Sequence, residues 1–412
     1  MIVKTLWMVT ILLIIRLGLI LTFKFKFIQF NLKKMLKGIK NSSNENLLPS
    51  LFLTLGGRIG VGSIAGVALA IYLGGSGTIF WIWVITLISA PITYLETILG
   101  IKYQKKDGKL YKGGAPYYIK EGLNKNVLAF LYAILIIISY TIGFISIQAN
   151  TIAKTINELI NIKPLIIGII IAIIVIIIIK NGLLSIMKVT NKIVPFMLII
   201  YLLCGIFVII TNVNLLDDIF INIIKNAFNF KSAITGFLTT LIIGIQRGIF
   251  ANESGLGIVS LASSANNSKD PKISGYTQII GVYITTFLIC TITAIIILTS
   301  NYNFNISDIN GIEIALNAFK YHFGILGHFI LVICIILFSF STILTGYYYS
   351  ETCLKIFNIK STIVLKMITF LILIIGSIMK AKIIWNMVDI FVLFLALINI
   401  YTINKLRKTI KL

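Results

Sequence analysis

Long apolar runs separated by short polar loops dominate this 412-residue chain. Windows of about twenty apolar residues, the length that crosses a bilayer, fall at 5–23, 52–73, 78–100, 127–158, 164–180, 191–212, 234–266, 276–299, 325–348, 361–379 and 385–404. The pattern predicts an all-α polytopic membrane protein of about eleven transmembrane helices. The first window has an internal Arg16, no small-residue cleavage site and most of its basic flank behind it, so it reads as a retained helix and not a signal peptide.

Two of the windows are interrupted. The second contains Gly56-Gly57-Arg58-Ile59-Gly60-Val61-Gly62-Ser63-Ile64-Ala65-Gly66, and the seventh contains Arg247-Gly248-Ile249-Phe250-Ala251-Asn252-Glu253-Ser254-Gly255-Leu256-Gly257. Glycine disfavours helix, and unwound backbone at membrane depth persists only where protein buries it or a cavity uses it. Two broken helices in corresponding positions of two halves point to the binding site of a secondary transporter. Glycines that merely let helices pack closely are the plainer alternative, and Gly62 and Gly66 have that spacing.

Lysine placement orients the chain. Lys24, Lys26, Lys33, Lys34, Lys37 and Lys40 follow the first window, Lys102, Lys105, Lys106, Lys109 and Lys112 follow the third, and Lys405, Arg407, Lys408 and Lys411 form the tail. All three segments are expected in the cytoplasm, which puts the N-terminus outside and the loops with Asp217 and Asp218, and with Asp308 and Glu313, on the outer face. Lys380 and Lys382 run against this pattern. The division that follows is an N-terminal helix with a basic segment (1–50), a first inverted repeat of five helices (51–212) and a second (213–412), each repeat opening with its broken helix.

Composition agrees: 58% of residues are hydrophobic and 12% charged, far from the soluble average. The net charge of +23 sits in loops between spans, so topology accounts for it and no nucleic-acid partner is expected. Cys204, Cys290, Cys334 and Cys353 have no metal spacing and read as packing residues; His322 and His328 lack a third ligand and read as interfacial. There is no intramembrane HExxH and no GxSxG, so no enzyme is expected. A channel would need a selectivity ring from several subunits; here the polar groups lie in two halves of one chain, which is read as functional as a monomer.

The breaks suggest their own ligands. A helix restarting after Gly60 to Gly62, capped by Ser63, exposes N–H groups and a positive dipole end to a carboxylate. Freed carbonyls suit a small cation or an ammonium group, so the pair describes an amino acid. Glu253, an acid at membrane depth, either bonds to unwound backbone, pairs with Arg247 or Arg58, or carries a proton. Glu96 is expected near the cytoplasmic end of its helix, snorkelling or capping. Gln148 and Asn150 are two apart, so only one can face a central cavity; Gln148 is the choice. The run Phe338-Ser339-Phe340-Ser341-Thr342-Ile343-Leu344-Thr345-Gly346 offers hydroxyls for a sodium cage, because hard cations prefer oxygen.

At these residues the sequence resembles the alanine or glycine:cation symporter family, the sodium:alanine symporters. The resemblance lies in GGRIGVGSIAGVALAIYLGGSGTIFWIWV from Gly56, KGGAPYYI from Lys112, SIQANTIA from Ser146, RGIFANESGLG from Arg247 and FSFSTILTGYYYSE from Phe338. It implies an 11-helix protein with a LeuT-like core in the cell membrane, importing a small neutral amino acid such as alanine, glycine or serine with sodium as coupling ion. On that likeness Gly60, Gly62, Ser63, Gln148, Phe250, Ser254, Gly255 and Leu256 would line the substrate pocket. Sodium would sit between the Gly60 carbonyl and the hydroxyls of Ser341 and Thr342, with Arg58, Arg247 and Glu253 as supporting charges. Proton coupling on the same fold and a non-transporting amino-acid sensor are the alternatives. The chain departs from the family where Gly-Thr-Gly-Asn becomes Gly60-Val61-Gly62-Ser63, where Gly-Trp becomes Thr345-Gly346, implying a pocket without an aromatic wall, and where Gly-Gly-Pro-Met-Tyr-Tyr becomes Gly113-Gly114-Ala115-Pro116-Tyr117-Tyr118.

Overall fold

The computed structural model describes residues 2–37, 47–108, 110–229, 233–265, 268, 270–300, 311–359 and 361–410. Lys40, Lys109, Asp308 and Lys411 lie outside the described residues. The chain is built almost wholly of helices: α1 Ile2–Lys24, α2 Leu47–Arg58, α3 Val67–Gly74, α4 Thr78–Lys102, α5 Ala115–Leu123, α6 Asn126–Ile138, α7 Ile145–Ile160, α8 Pro164–Ile179, α9 Leu183–Thr211, α10 Val213–Ala227, α11 Ala233–Asn252, α12 Val259–Ser263, α13 Pro271–Tyr283, α14 Thr291–Leu298, α15 Gly311–Leu354, α16 Ile363–Ile378 and α17 Ala381–Leu406. A two-stranded hairpin, β1 Lys105–Asp107 and β2 Leu110–Lys112, joins α4 to α5.

Seven helical segments are long and apolar enough to cross a bilayer, and the bent pair α2–α3 makes an eighth. The surface explains how they sit there. Helix α8 buries Ile167, Gly168, Ile171, Ala172, Val175 and Ile179, while Leu165, Ile166, Ile169, Ile170, Ile173, Ile174 and Ile177 are exposed. Water would not tolerate an isoleucine face of that extent, and lipid does. This is a multi-pass membrane protein.

Packing places both interrupted helices inside the bundle. Helix α4 runs against α11 and α13, α15 packs on α2, α7 and α9, and α16 covers α7 and α8, while α1 lies outside against α4 and α17. Three π-helical stretches, Gly62–Gly66, Ser139–Phe144 and Ile284–Cys290, join α2 to α3, α6 to α7 and α13 to α14. Such turns sacrifice regular hydrogen bonding and concentrate at functional positions.

Several boundaries differ from the apolar windows, each for a visible reason. Helix α9 begins eight residues before the window at 191, because Leu183, Ile186, Met187 and Thr190 continue its buried stripe through a partly polar stretch that hydropathy averages away. Asp217 and Asp218 lie on an amphipathic helix, not in a loop: α10 buries Ile219, Ile223 and Ala227 on one side. Glu313 likewise starts α15, which kinks at Gly324 (φ 61°, ψ −145°) just before the expected span. The basic segment after α4 folds into the hairpin and α5, with Gly114 at φ 102° and Pro116 in the first turn.

Candidate functional site

The first break follows Arg58. Leu47–Arg58 and Gly62–Gly74 diverge by 52°. The carbonyl of Gly56, next to the break, accepts from two hydroxyls of α15, Ser341 Oγ at 3.2 Å and Thr342 Oγ1 at 2.9 Å. Each hydroxyl also lies at bonding distance from the Phe338 carbonyl of its own helix, at 2.9 and 3.0 Å. One proton therefore serves two acceptors, and the oxygen keeps lone pairs for another partner. The hydroxyls meet the carbonyl of Gly56, one turn before Gly60.

Gly60 itself is where two side chains converge. A Cβ there would lie 2.5 Å from Thr342 Oγ1 and 3.0 Å from Gln148 Nε2, so only glycine allows the approach. Gln148 Oε1 accepts from the Val61 N–H at 3.1 Å, satisfying a donor that the break releases. Asn150 points elsewhere, donating to the Gly376 and Met379 carbonyls at the end of α16 (3.0 and 2.6 Å). Ser63 does not cap the restarted helix. Val61 and Gly66 keep right-handed helical angles through a π-turn, and Ser63 is buried with its carbonyl accepting from Thr293 Oγ1 at 2.9 Å.

Phe250 of α11 fills the space beside Gly62: a Cβ on that glycine would collide with its ring. The Phe250 ring stacks on Phe144 (centroids 5.2 Å, planes 8° apart), which stacks on Tyr140 (4.4 Å, 5°). The π-stretch Ser139–Phe144 aligns these two rings. Trp385 of α17 closes the group at 5.2 Å from Phe250. The space beside Gly346 is bounded by Tyr140, 3.2 Å from a Cβ there.

The buried charges pair differently from the expectation. Arg247 does not meet Glu253; it forms a two-bond ion pair with Asp389 of α17 (3.1 and 2.9 Å) and lies 4.7 Å above the Trp385 ring. Arg58 donates to the Gln278 carbonyl at 3.3 Å, and among the described residues no carboxylate lies within ion-pair distance of it. Glu253 Oε1 instead accepts from Tyr140 Oη at 2.5 Å.

The second break follows Asn252. Glu253, Gly255 and Gly257 all have positive φ (54°, 88° and 72°), which no helix accommodates. Only five helical residues, Val259–Ser263, resume beyond it. Ser254 accepts from Thr93 Oγ1 at 2.7 Å. Gly255 and Leu256 offer carbonyls to Asn399 and Tyr132, respectively. Glu96 does not snorkel: it is fully buried, and its Oε1 accepts from the Gly257 N–H at 2.8 Å. Gly60, Gly62, Gln148, Phe250, Ser341 and Thr342 thus converge around the first break, while Ser254, Gly255 and Leu256 are engaged by other helices. Asp389, Asn399, Tyr140 and Trp385 are participants that sequence reasoning passes over. The polar positions at 389 and 399 are detectable, because each interrupts an apolar span.

Cavities among the described residues include two away from the breaks. One of about 490 Å³ is bordered by Gly74, Gly75, Asn226 and Thr240. The other, about 330 Å³, is bordered by Asp107, Lys112, Glu351 and Lys355. Lys355 bonds Asp107 at 2.9 Å and holds that carboxyl below its ordinary range.

A family model described as the sodium:alanine symporter family matches residues 1–411. The chain is 34% identical over 410 residues to the amino-acid carrier protein AlsT of Bacillus subtilis (strain 168), spanning 96% of this chain and 86% of that one. It is 33% identical over 415 residues to the probable sodium/glutamine symporter GlnT of the same organism (97% and 86%). With the sodium/alanine symporter AgcS of Methanococcus maripaludis it shares 30% identity over 350 residues (82% and 77%).

Proposed function

Because the chain belongs to the sodium:alanine symporter family, we propose that it is a secondary-active, sodium-coupled importer of a small neutral amino acid, working by alternating access. The observation that carries this reading is the first break. There, in one buried place, Gly56 turns its carbonyl to two hydroxyls of α15, Val61 turns its N–H to Gln148, and Gly62 faces Phe250. Neutral oxygens beside glycine backbone suit a hard monovalent ion with a small zwitterion next to it. The ion would lie at Gly56, Gly60, Ser341 and Thr342. The substrate would lie along Gly60, Gly62, Ser63, Gln148, Phe250 and Ser254.

The architecture is read as eleven spans: α1, α2–α3, α4, α6–α7, α8, α9, α11–α12, α13–α14, α15 from Gly324, α16 and α17. After α1 come two five-span repeats of opposite orientation in a LeuT-like arrangement. One feature favours the inversion: each half inserts a short helix between its second and third spans, α5 in the first and the part of α15 before the Gly324 kink in the second. With a cytoplasmic C-terminus in the plasma membrane, Arg247, Asp389 and Trp385 stand on the outer side of the breaks, and Glu96 and Asn399 on the inner side. The ion pair and stacked rings would close the outer route, and the substrate would leave inward when the two halves exchange their packing.

The experiment is uptake into proteoliposomes under an imposed sodium gradient, with labelled alanine, glycine, serine and glutamine. Accumulation of one of them that collapses with the gradient is expected. Uptake driven by a proton gradient in sodium-free buffer would overturn the ion assignment, and saturable binding without counterflow would overturn transport.

A further inference from the structure

The two breaks are not equivalent. Every broken turn needs partners for the groups it releases, and around the second break the protein supplies nearly all of them. The N–H of Glu253 reaches Ile249 O at 2.9 Å, that of Ser254 reaches Asn252 Oδ1 at 2.9 Å, and that of Leu256 reaches Glu253 O at 3.3 Å. The N–H of Gly257 is taken by Glu96 Oε1, the carbonyl of Gly255 by Asn399 Nδ2 at 2.9 Å, and the carbonyl of Leu256 by Tyr132 Oη. Asn399 also donates to Glu96 Oε1 at 2.6 Å and accepts from Tyr118 Oη at 2.5 Å.

Four side chains from four helices, α4, α5, α6 and α17, thus form one connected network on the inner side of the second break. Glu96, Asn399, Tyr118 and Tyr132 are all fully buried. Gly257 completes the fit: at φ 72° a Cβ would lie 2.7 Å from Tyr132 Oη and 2.9 Å from Asn399 Oδ1. A buried network with this much mutual bonding fixes one conformation.

We propose that Glu96 and Asn399 are positioning residues of the transporter: they lock the second break so that it presents Phe250 and Ser254 as a fixed wall of the substrate site. They touch neither substrate nor ion. Glu96 acts as an acceptor through one oxygen, not through its charge. The inference rests on the transport reading for its functional readout and on the hydrogen-bond geometry for the rest.

The test reverses the polarity of the pair. Glu96→Gln keeps an Oε1 for Gly257 and should transport within about threefold of the parent. Asn399→Asp sets two carboxylates at the 2.6 Å contact, which is tolerable only with a proton between them. The charged and titratable groups around that contact are Arg58 on α2, Tyr118 on α5 and Tyr132 on α6. Asn399→Asp should therefore lose at least about tenfold in uptake, mainly through a raised substrate KM, between pH 6 and pH 8. Sodium half-saturation should stay within about twofold at saturating substrate. In the double variant Glu96→Gln/Asn399→Asp a single carboxylate remains at the contact, so the extra pH dependence should vanish; the donor to the Gly255 carbonyl is not restored, so the raised KM should remain.

Melting temperatures of the purified variants across the same pH range give a readout that needs no transport. Asn399→Asp should be destabilised as pH rises, and the double variant should not. If the parent takes up no amino acid but the melting pattern holds, the function fails and the lock stands. An Asn399→Asp profile matching the parent, or a double variant that keeps the full pH dependence of Asn399→Asp, overturns the lock.

Discussion

Replacing Thr342 by alanine separates a coupling-ion ligand from a structural hydroxyl. In the structure Thr342 Oγ1 lies 2.9 Å from Gly56 O and 3.0 Å from Phe338 O. Deleting it does not orphan the Gly56 carbonyl, because Ser341 Oγ remains 3.2 Å away. The structural cost should therefore be that of one ordinary buried hydrogen bond, about 1 kcal/mol. If the same oxygen binds sodium during transport, its loss costs an interaction with a charge, about 1.5–3 kcal/mol. That converts to roughly a 10- to 150-fold rise in the sodium concentration for half-maximal uptake. Thr342→Ser, which keeps the hydroxyl, should stay within about threefold. The assay is the sodium dependence of alanine uptake at saturating alanine, read with melting temperatures to register the structural part. A Thr342→Ala protein with unchanged sodium half-saturation, or one whose defect lies entirely in alanine KM, would refute the ion assignment.

Asp389→Asn should leave Arg247, already largely buried, without a counter-charge at about 3–5 kcal/mol; it should depress uptake at least tenfold, and the reciprocal swap Arg247→Asp/Asp389→Arg should recover part of it, no recovery meaning that the pairing is not what matters. Gly62→Ala should abolish uptake, because its Cβ would overlap the Phe250 ring, and adding Phe250→Leu should restore a monodisperse protein; a functional Gly62→Ala would mean the ring moves freely. Gly346→Trp should inactivate and not retune selectivity, since the indole must displace Tyr140, which holds Glu253; normal uptake with a narrower substrate profile would count against that packing. At the hairpin after α4, Lys355 holds the Asp107 carboxyl below its ordinary range, so the pair's contribution is complete above an unfolded carboxyl pKa of about 4 and is lost as pH falls further. Thermal unfolding from pH 7 to pH 3 should show an acid-side loss that Lys355→Met diminishes.

Much of this architecture can be read from the chain because hydropathy and glycine act locally. The apolar windows locate the helices, and Gly60, Gly62, Gly255 and Gly257 mark both breaks before any partner is known. What fails are the pairings of charge. Arg247 and Arg58 are both candidate partners of Glu253 in sequence, yet Glu253 lies past the end of α11 at φ 54° and bonds Tyr140. The partner that Arg247 has, Asp389, is 142 residues away and becomes its neighbour only when the fold brings α17 within side-chain reach of α11. Glu96 misleads similarly: its position in α4 suggests the interface, but α5 and α17 cover that end and convert a snorkelling acid into a backbone acceptor.

The same contrast explains why the candidate site is uneven. Local sequence dictates where backbone is released, and tertiary packing decides whether the released groups are consumed or kept available. At the second break three distant side chains, Glu96, Asn399 and Tyr132, consume them, so its glycines serve rigidity. At the first break the Gly60 carbonyl accepts from the Ser63 N–H, and the side-chain partners are a single glutamine and hydroxyls that already share their protons with their own helices. Such bonds can be exchanged for an ion or a carboxylate at little cost, because the protein-side partner falls back on its own helix. On the proposed reading, binding chemistry therefore belongs to the first break, and the second break holds its wall in place. A transporter built this way would lose substrate affinity when the second break loosens and ion affinity when the first one does.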